Sequence, residues 1–230
     1  MKLKYLRPVA SVCLMFAAAV VHAESPPAFD TSWIQPAPEV LTYRTQSAQG
    51  SGLYQVSLWR TDGGLELYLN IISPGFTKSV WASMGGDMHP RESSSRIAVQ
   101  GQVTIKTDCS YQPGSLHVAT LMGPGNRVSE KSLSLTNFAL DFSQAPLVAR
   151  TLPLKVGAEF KFDSLNPQNN ALVPLTIRVA SEETVKNTAC YKVEASDFEG
   201  RSIYWIEKSG HHRVLRIEQP ESGRVTELIP

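Results

Sequence analysis

The side chains best suited to metal or acid-base chemistry are four histidines that follow the N-terminal segment: His89, His117, His211 and His212. Zinc sites usually combine several ligands at fixed spacing with a supporting carboxylate. Asp87-Met88-His89 is the only cluster of this kind, and a polar loop explains it equally well. His211 and His212 follow Ser209-Gly210, as expected for solvated residues at a hairpin tip. The sequence therefore predicts no metal site.

A nucleophilic serine is equally hard to find. Hydrolases often carry it in a Gly-x-Ser-x-Gly turn between a strand and a helix. Gly50-Ser51-Gly52 lacks that context, and no glycine-rich phosphate loop precedes a helix. The carboxylate pairs Glu182-Glu183 and Glu218 with Glu221 fall at strand ends and turns, where solvation is the ordinary explanation. These patterns favour a protein that is not an enzyme and needs no cofactor.

Aromatic residues are the more suggestive group, and four of them fall within strand patterns: Trp59, Trp81, Tyr204 and Trp205. The inner face of a strongly curved sheet can line an apolar cavity. Aromatic side chains in strands can also simply fill the core. Both interpretations, cavity lining and core packing, remain open. Trp81, Tyr204 and Trp205 are the candidate ligand-binding residues.

The elements that must position these rings are best defined between residues 189 and 229. Four runs alternate apolar and polar residues and are separated by turn residues, which predicts an antiparallel meander with one buried face. Within single strands, Val193 should share a face with Tyr191, Trp205 with Ile203, and Leu215 with Ile217. The rest of the chain must cover that face.

Earlier in the chain, two alternating runs flank Asp62-Gly63-Gly64, a strong hairpin signal because such turns need positive φ. Residues 146 to 153 could instead form one or two helical turns that close against the sheet. Ten or more short strands with little helix signal predict a mainly β class. We expect a single strongly curved antiparallel sheet, a half-open β-barrel, with one or two short helices.

The N-terminal segment has the layout of a secretory signal, with three basic residues, an apolar run and Ala23 at a cleavage position. We expect residues 1–23 to be removed, residues 24–40 to form a proline-rich lead-in and residues 41–230 to form one β-rich domain. Removal leaves 19 bases against 21 acids, so the net charge changes from +1 to −2. This near-neutral balance argues against a nucleic-acid partner. No later segment is long and apolar enough to span a membrane.

Cys109 and Cys190 are the cysteines that would remain after cleavage. An even number in an exported protein suggests a disulfide. Metal ligation by the pair is the weaker alternative, since neither cysteine has another cysteine or a histidine at ligand spacing. We therefore predict a disulfide between Cys109 and Cys190.

Two segments resemble a known family. Residues 147 to 157 contain Arg150-Thr-Leu-Pro-Leu followed by Gly157, and Tyr191-Lys-Val, Tyr204-Trp-Ile and the strand at 213–218 come after them in order. This pattern is similar to bacterial envelope proteins grouped as domain-of-unknown-function family 3108, from about residue 140 to 229. The family often has a Pro-x-Gly turn where this chain has residues 186–189. The resemblance implies a half-open barrel similar to the periplasmic lipoprotein carriers LolA and LolB, and it carries over no activity and no catalytic residue.

We therefore expect a periplasmic, non-enzymatic protein that binds a lipidic or other apolar cell-envelope ligand. The alternative is a structural or assembly factor that acts through contacts with another envelope protein at sheet edges or through the lead-in. A hydrolase with scattered catalytic groups is the third reading, and it would require polar groups converging in a cleft.

Overall fold

The computed structural model describes residues 27–48, 50–123, 127–135, 138–141 and 144–230. Within them the chain forms fifteen strands in one sheet and one helix. The predicted signal peptide and the first residues of the lead-in lie outside this part. The strands are β1 Glu39–Ser47, β2 Gly50–Thr61, β3 Gly64–Ser73, β4 Phe76–Met84, β5 Pro90–Val99, β6 Gln102–Gln112, β7 Ser115–Met122, β8 Arg127–Ser134, β9 Ala139–Asp141, β10 Glu159–Asn166, β11 Ala171–Val185, β12 Thr188–Asp197, β13 Gly200–Glu207, β14 Val214–Gln219 and β15 Arg224–Leu228. The helix, α1, is Ala145–Thr151.

The sheet order is β8-β7-β6-β5-β4-β3-β2-β1-β15-β14-β13-β12-β11-β10-β9. Consecutive strands pair almost throughout, which confirms the mainly β class and the single curved sheet. The β1–β15 pair joins the two ends of the strand region, with Tyr43 opposite Leu228. One pair differs from the antiparallel prediction: β9 and β10 run parallel. The physical reason is the connection between them, which contains α1, since parallel neighbours need a long crossover.

Two turns show how the sequence sets the register. Asp62 and Gly63 connect β2 to β3 as predicted, with Thr61 opposite Gly64. A Cβ at Gly64 would stand 2.1 Å from the carbonyl oxygen of Met84, so only glycine fits there. Between β11 and β12, Lys186 and Asn187 both have positive φ, at 47° and 66°. This two-residue turn takes the place of the family's Pro-x-Gly turn.

Alternation assigns two faces to the sheet. The main apolar cluster occupies the inner, concave face and includes Val193, Tyr204, Ile206 and Val214, with Tyr191 packed against it. Trp205 and Ile203 belong to a separate cluster on the outer face, together with Cys190 and Leu215. The pairings of Val193 with Tyr191 and of Trp205 with Ile203 are therefore confirmed.

The predicted pairing of Leu215 with Ile217 is wrong. The register between β13 and β14 shifts between Trp205 and Ile206, which makes Leu215 an extra residue in the strand. Leu215 therefore packs in the outer cluster, while Ile217 packs against the inner one. A β-bulge of this kind reverses the alternation for the residues that come after it.

Helix α1 lies on the concave side of the sheet. Six of its seven residues are buried, and Leu147, Val148 and Ala149 join the main apolar cluster. Pro146 stands in its first turn, where a missing N–H costs nothing. The lead-in packs nearby, since Ile34 is buried in the same cluster and the Asp30 amide donates to the Thr151 carbonyl at 2.7 Å. The concavity is therefore largely filled.

The sheet does not close, and side chains join its two ends. Ser93 on β5 donates to the Asp141 carboxylate on β9 at 2.7 Å. Thr120 on β7 donates to the Asn170 side-chain oxygen at 3.1 Å. Leu165 of β10 packs with residues of β6 and β7. The curvature thus brings β9 and β10 beside β5, β6 and β7 without a backbone ladder between them.

Candidate functional site

The three candidate ligand-binding rings do not share one surface. Tyr204 and Trp205 are neighbours on β13, so they face opposite sides of the sheet. Tyr204 is buried on the inner face, and Trp205 is buried on the outer face. Trp81 is also on the outer face of β4, since Val80 and Ala82 on either side of it belong to the inner cluster. Only Tyr204 therefore faces the concave side.

A small apolar cavity lies between α1 and the inner face of the sheet. Its volume is about 20 Å³, which is room for roughly one water molecule. The sheet contributes residues from β1, β2, β3 and β14, and α1 covers the cavity. The lining residues are Tyr43, Tyr54, Val56, Leu67, Leu69, Pro146, Leu147, Arg150, Val214 and Ile217. The concave side thus offers an apolar surface with little free space.

Two tyrosines give this cavity its uncharged polar groups. The rings of Tyr43 and Tyr54 lie 5.4 Å apart between centroids, on adjacent strands. Burial raises the pKa of both phenols above its ordinary value. Tyr204 has a raised pKa for the same reason. All three therefore stay neutral at physiological pH and can act as hydrogen-bond donors without introducing charge.

Arg150 fixes α1 over the cavity. Its side chain is only 3% exposed and donates to the Glu39 carboxylate at 2.7 Å. It also donates to the carbonyl oxygens of His211 at 2.8 Å and His212 at 3.0 Å. The guanidinium lies 4.4 Å from the centre of the Trp33 ring. One buried cation thus ties the helix to β1, to the β13–β14 loop and to the lead-in.

A second charged group lies on the concave face, away from α1. Lys78 alternates with Val80 on β4, and burial lowers the pKa of its ammonium group. The carboxylates of Glu199, Asp141 and Asp197 act in the opposite direction. Burial also raises the pKa of Asp197. These opposite charges make this part of the concave face polar, in contrast to the apolar surface under α1.

The outer-face tryptophans are each oriented by a glutamate. The Trp81 indole N–H donates to Glu66 at 2.6 Å, and the Trp205 indole N–H donates to Glu183 at 2.8 Å. Trp205 is further covered by two cations, with Lys192 at 5.6 Å and Arg216 at 5.2 Å from the ring centre. Hydrogen bonds from Trp205 and then from Lys192 lower the pKa of Glu183. The geometry gives Trp205 a packing role on the outer face.

The predicted disulfide is not present. Cys109 on β6 and Cys190 on β12 are both free buried thiols. Cys109 packs with Leu116, Val118 and Leu165, whereas Cys190 packs in the outer cluster with Trp205. The two thiols lie on strands in different halves of the sheet. The even number of cysteines therefore did not indicate that the two are close in space. Burial raises the pKa of the Cys109 thiol to about 12, which keeps it protonated and unreactive.

The histidines do not converge with other ligands. His89 pairs with Asp87 at 3.1 Å on an exposed loop, and His117 lies 3.4 Å from the Ser132 hydroxyl. His212 contacts the Glu207 carbonyl at 3.0 Å within the β13–β14 loop. Among the described residues, no group of three or more His, Cys, Asp and Glu side chains could hold a metal ion.

Sequence reasoning missed the residues that organise the concave side: Glu39, Tyr43, Tyr54 and Arg150. Arg150 had a usable signal, since it is a lone cation inside a short apolar run predicted to pack against the sheet. Such a residue must find a buried partner. Its partner Glu39 is 111 positions away, which no local pattern can indicate.

Residues 40–226 match the family model described as "Protein of unknown function (DUF3108)". The chain belongs to the DUF3108 family. The match runs from β1 into β15, so it covers nearly the whole sheet. None of the curated proteins matches this DUF3108 chain. In the part of the chain with described coordinates, no helix has the length and apolar character needed to cross a membrane.

Proposed function

We propose that this DUF3108 protein binds a lipidic or other apolar ligand of the cell envelope, without catalysis, between α1 and the inner face of the sheet. The proposal rests on how little secondary structure covers the concave face. A large apolar surface from β1, β2, β3 and β14 faces one helix of seven residues. An isolated helix of that length is not stable without packing.

The ligand must displace α1 in part, because the free volume is only about 20 Å³. An acyl chain that replaces Leu147 and its neighbours would bury the same sheet residues, so the exchange conserves apolar contact. The neutral hydroxyls of Tyr43 and Tyr54 would then meet the polar end of the ligand. The Arg150 contacts with Glu39 hold the closed state and oppose this displacement.

The test is titration of the protein with a fluorescent fatty acid, comparing two substitutions of the same kind. Val56→Phe fills the cavity, whereas Val40→Phe adds the same ring to an outer position that is 53% exposed. We expect saturable binding by the wild type and by Val40→Phe, with affinity at least about tenfold weaker in Val56→Phe. Thermal unfolding of both variants verifies the fold. Absence of saturable binding, or equal binding by the two variants, contradicts the proposal.

We also propose that the protein acts in the periplasm after removal of residues 1–23. The support is the layout of this segment, which lies outside the described residues. Fractionation of cells, with N-terminal sequencing of the mature protein, tests it. A chain that begins at Glu24 in the periplasmic fraction is the expected result. An uncleaved chain in the cytoplasmic fraction contradicts it.

A second candidate function, an assembly factor that binds another envelope protein, is favoured by β8. This strand ends the sheet order, its residues 128–132 are exposed, and Val128 is 62% exposed. An exposed edge strand can accept a strand from a partner. A photo-crosslinking residue at position 128 should then capture a specific envelope protein that position 40 does not. Equal patterns at both positions would count against this function.

A further inference from the structure

A second surface with the character of a binding site lies on the outer face of β3, β4 and β5. Cross-strand neighbours bring its side chains together, since Tyr68 pairs with Trp81, Trp81 with Ser94, and Ser79 with Arg96. They surround a depression of about 160 Å³, several times the volume of the cavity under α1. We call it the outer groove. It does not involve the concave face, so a role for it is independent of the proposed function.

The ring in the outer groove is held in place and partly exposed. The hydrogen bond from Trp81 to Glu66 fixes the rotation of the indole at 2.6 Å. On the other side, Ser94 donates to Asp108 at 2.7 Å, and Asp108 also receives the Lys106 ammonium at 2.5 Å. The hydrogen bond to Glu66 holds the indole in one orientation, and Asp108 is already bonded by Ser94 and Lys106. The indole is therefore preorganised to receive a ligand.

Three polar groups of the outer groove have no such partners. The Tyr68 hydroxyl, the Ser79 hydroxyl and the Arg96 guanidinium make no hydrogen bond or ion pair with any residue whose placement the structure describes. Tyr68 is 38% exposed. Arg96 lies opposite Lys106 in the register. Its charge acts on Asp108 at longer range, while that carboxylate is bonded directly by Lys106 and Ser94. The groove thus presents one positive charge without a direct ion-pair partner beside a fixed aromatic ring.

This combination defines the chemistry of a ligand. The face of an indole packs well against the C–H groups of a sugar ring, while free hydroxyls can bond the sugar hydroxyls. An arginine without a direct partner is suited to a carboxylate, which it can bind through two parallel hydrogen bonds. Glu66, Glu92 and Asp108 lie on the strands around the groove, so the position beside Arg96 is the favourable one for the carboxylate of a sugar unit.

We propose that the outer groove binds a saccharide unit that carries one carboxylate, with the sugar ring on Trp81 and the carboxylate on Arg96. Tyr68 and Ser79 bond the hydroxyls of the ring. The same chemistry is offered by a short soluble oligosaccharide and by a long acidic glycan. On the long chain, neighbouring units would extend along the outer face of the sheet.

The experiment is a calorimetric titration of the protein with trigalacturonic acid, with maltotriose as a neutral sugar of the same length. The variants are Arg96→Gln, which removes the charge from the groove, and Arg44→Gln, which removes an exposed arginine from the outer face of β1 as a control. We expect the acidic trisaccharide to bind the wild type and Arg44→Gln about tenfold or more tightly than maltotriose. Arg96→Gln should bind both sugars equally weakly.

Three outcomes decide between the possibilities. The loss of acidic preference in Arg96→Gln, with a shift of the Trp81 indole resonance on binding by the wild type, supports the site. Tighter binding of polygalacturonate than of the trisaccharide points to a long glycan, and equal binding per unit points to a soluble oligosaccharide. Absence of saturable binding by the wild type, or equal acidic preference in Arg96→Gln and Arg44→Gln, overturns the proposal. Thermal unfolding shows whether each variant is folded.

Discussion

Trp81 and Trp205 occupy similar positions in the two halves of the sheet and are treated differently by their surroundings. Each lies in the middle of a strand on the outer face and donates its indole N–H to a glutamate. Trp205 is only 6% exposed, because Lys192 and Arg216 lie over its ring and Leu215 packs beside it. Trp81 is less completely covered and remains partly exposed.

The charges around the two rings explain the difference. Near Trp205 the cations are paired, since Lys192 bonds Glu183 and Arg216 bonds Glu218. Near Trp81 the cross-strand neighbours are a serine and a tyrosine, and Arg96 has no ion pair with any described carboxylate. The same residue type on the same kind of strand is therefore enclosed by packing and paired cations in one half, and it is partly exposed in the other, where we propose that it binds a ligand.

Truncation to alanine should separate the two tryptophans most strongly. We expect Trp205→Ala to lower the free energy of unfolding by about 3–5 kcal/mol, because it empties a buried cluster. Trp81→Ala should cost less, about 1–2 kcal/mol, since the ring is only partly buried. Urea unfolding of both variants measures the difference. Equal losses would mean that Trp81 is also a packing residue, and would weaken the outer groove as a site.

The reactivity of the thiols measures locally how much the packing around Trp205 depends on its ring. Cys190 is fully buried beside Trp205, and Cys109 is buried in a separate cluster. Neither should react with an aromatic disulfide reagent in the folded wild type. In Trp205→Ala, Cys190 should react about an order of magnitude faster, while Cys109 stays protected. Mass spectrometry of the modified peptides assigns the site. Equal rates of Cys190 modification in the wild type and in Trp205→Ala would contradict this prediction.

The contributions of Glu183 and Glu66 to stability can be compared by measuring unfolding at different pH values. The folded-state pKa of Glu183 lies below its ordinary value of 4.5, so its charge stabilises the fold above that pH. This contribution is lost as the pH falls through the lowered pKa. Glu183→Gln should therefore be less stable than the wild type at pH 7, and the difference should shrink in acid below about pH 4. Thermal unfolding from pH 7 to pH 3 tests this, with Glu66→Gln as the matched change at Trp81. A gap that stays constant with pH would contradict it.

Local patterns were sufficient for most of the sheet. The turn at Asp62-Gly63 needs residues that accept positive φ, and the flanking alternation fixes the faces of β2 and β3, so both were predictable. Helix α1 was also predictable, because an apolar run bounded by prolines had no alternating pattern. The division of Tyr204 and Trp205 between two faces follows from the same period of two. Tyr204 and Trp205 therefore cannot both line the same cavity.

Other features depend on contacts that sequence spacing does not encode. The bulge at Leu215 moves a side chain between clusters, and no residue type there marks an insertion. The Arg150 pair with Glu39 and the separation of Cys109 from Cys190 both follow from how the sheet curves. The surroundings of Arg96 are of the same kind, because they depend on the pairing of β5 with β6. Prediction of these features requires the assembled strands.

Removal of one cation from Trp205 should have the smallest effect and should make the two tryptophans more alike. A cation over an aromatic ring near the surface contributes about 0.5–1 kcal/mol, so Arg216→Gln should destabilise the protein by no more than that. In protein labelled with fluorotryptophan, the Trp205 resonance should become more sensitive to a soluble paramagnetic agent, approaching that of Trp81. Lys192→Gln is the companion variant for the other side of the ring. If neither substitution changes the Trp205 resonance, then Leu215 and Ile203 cover the ring, and the difference between the two halves lies in apolar packing and not in the arrangement of charge.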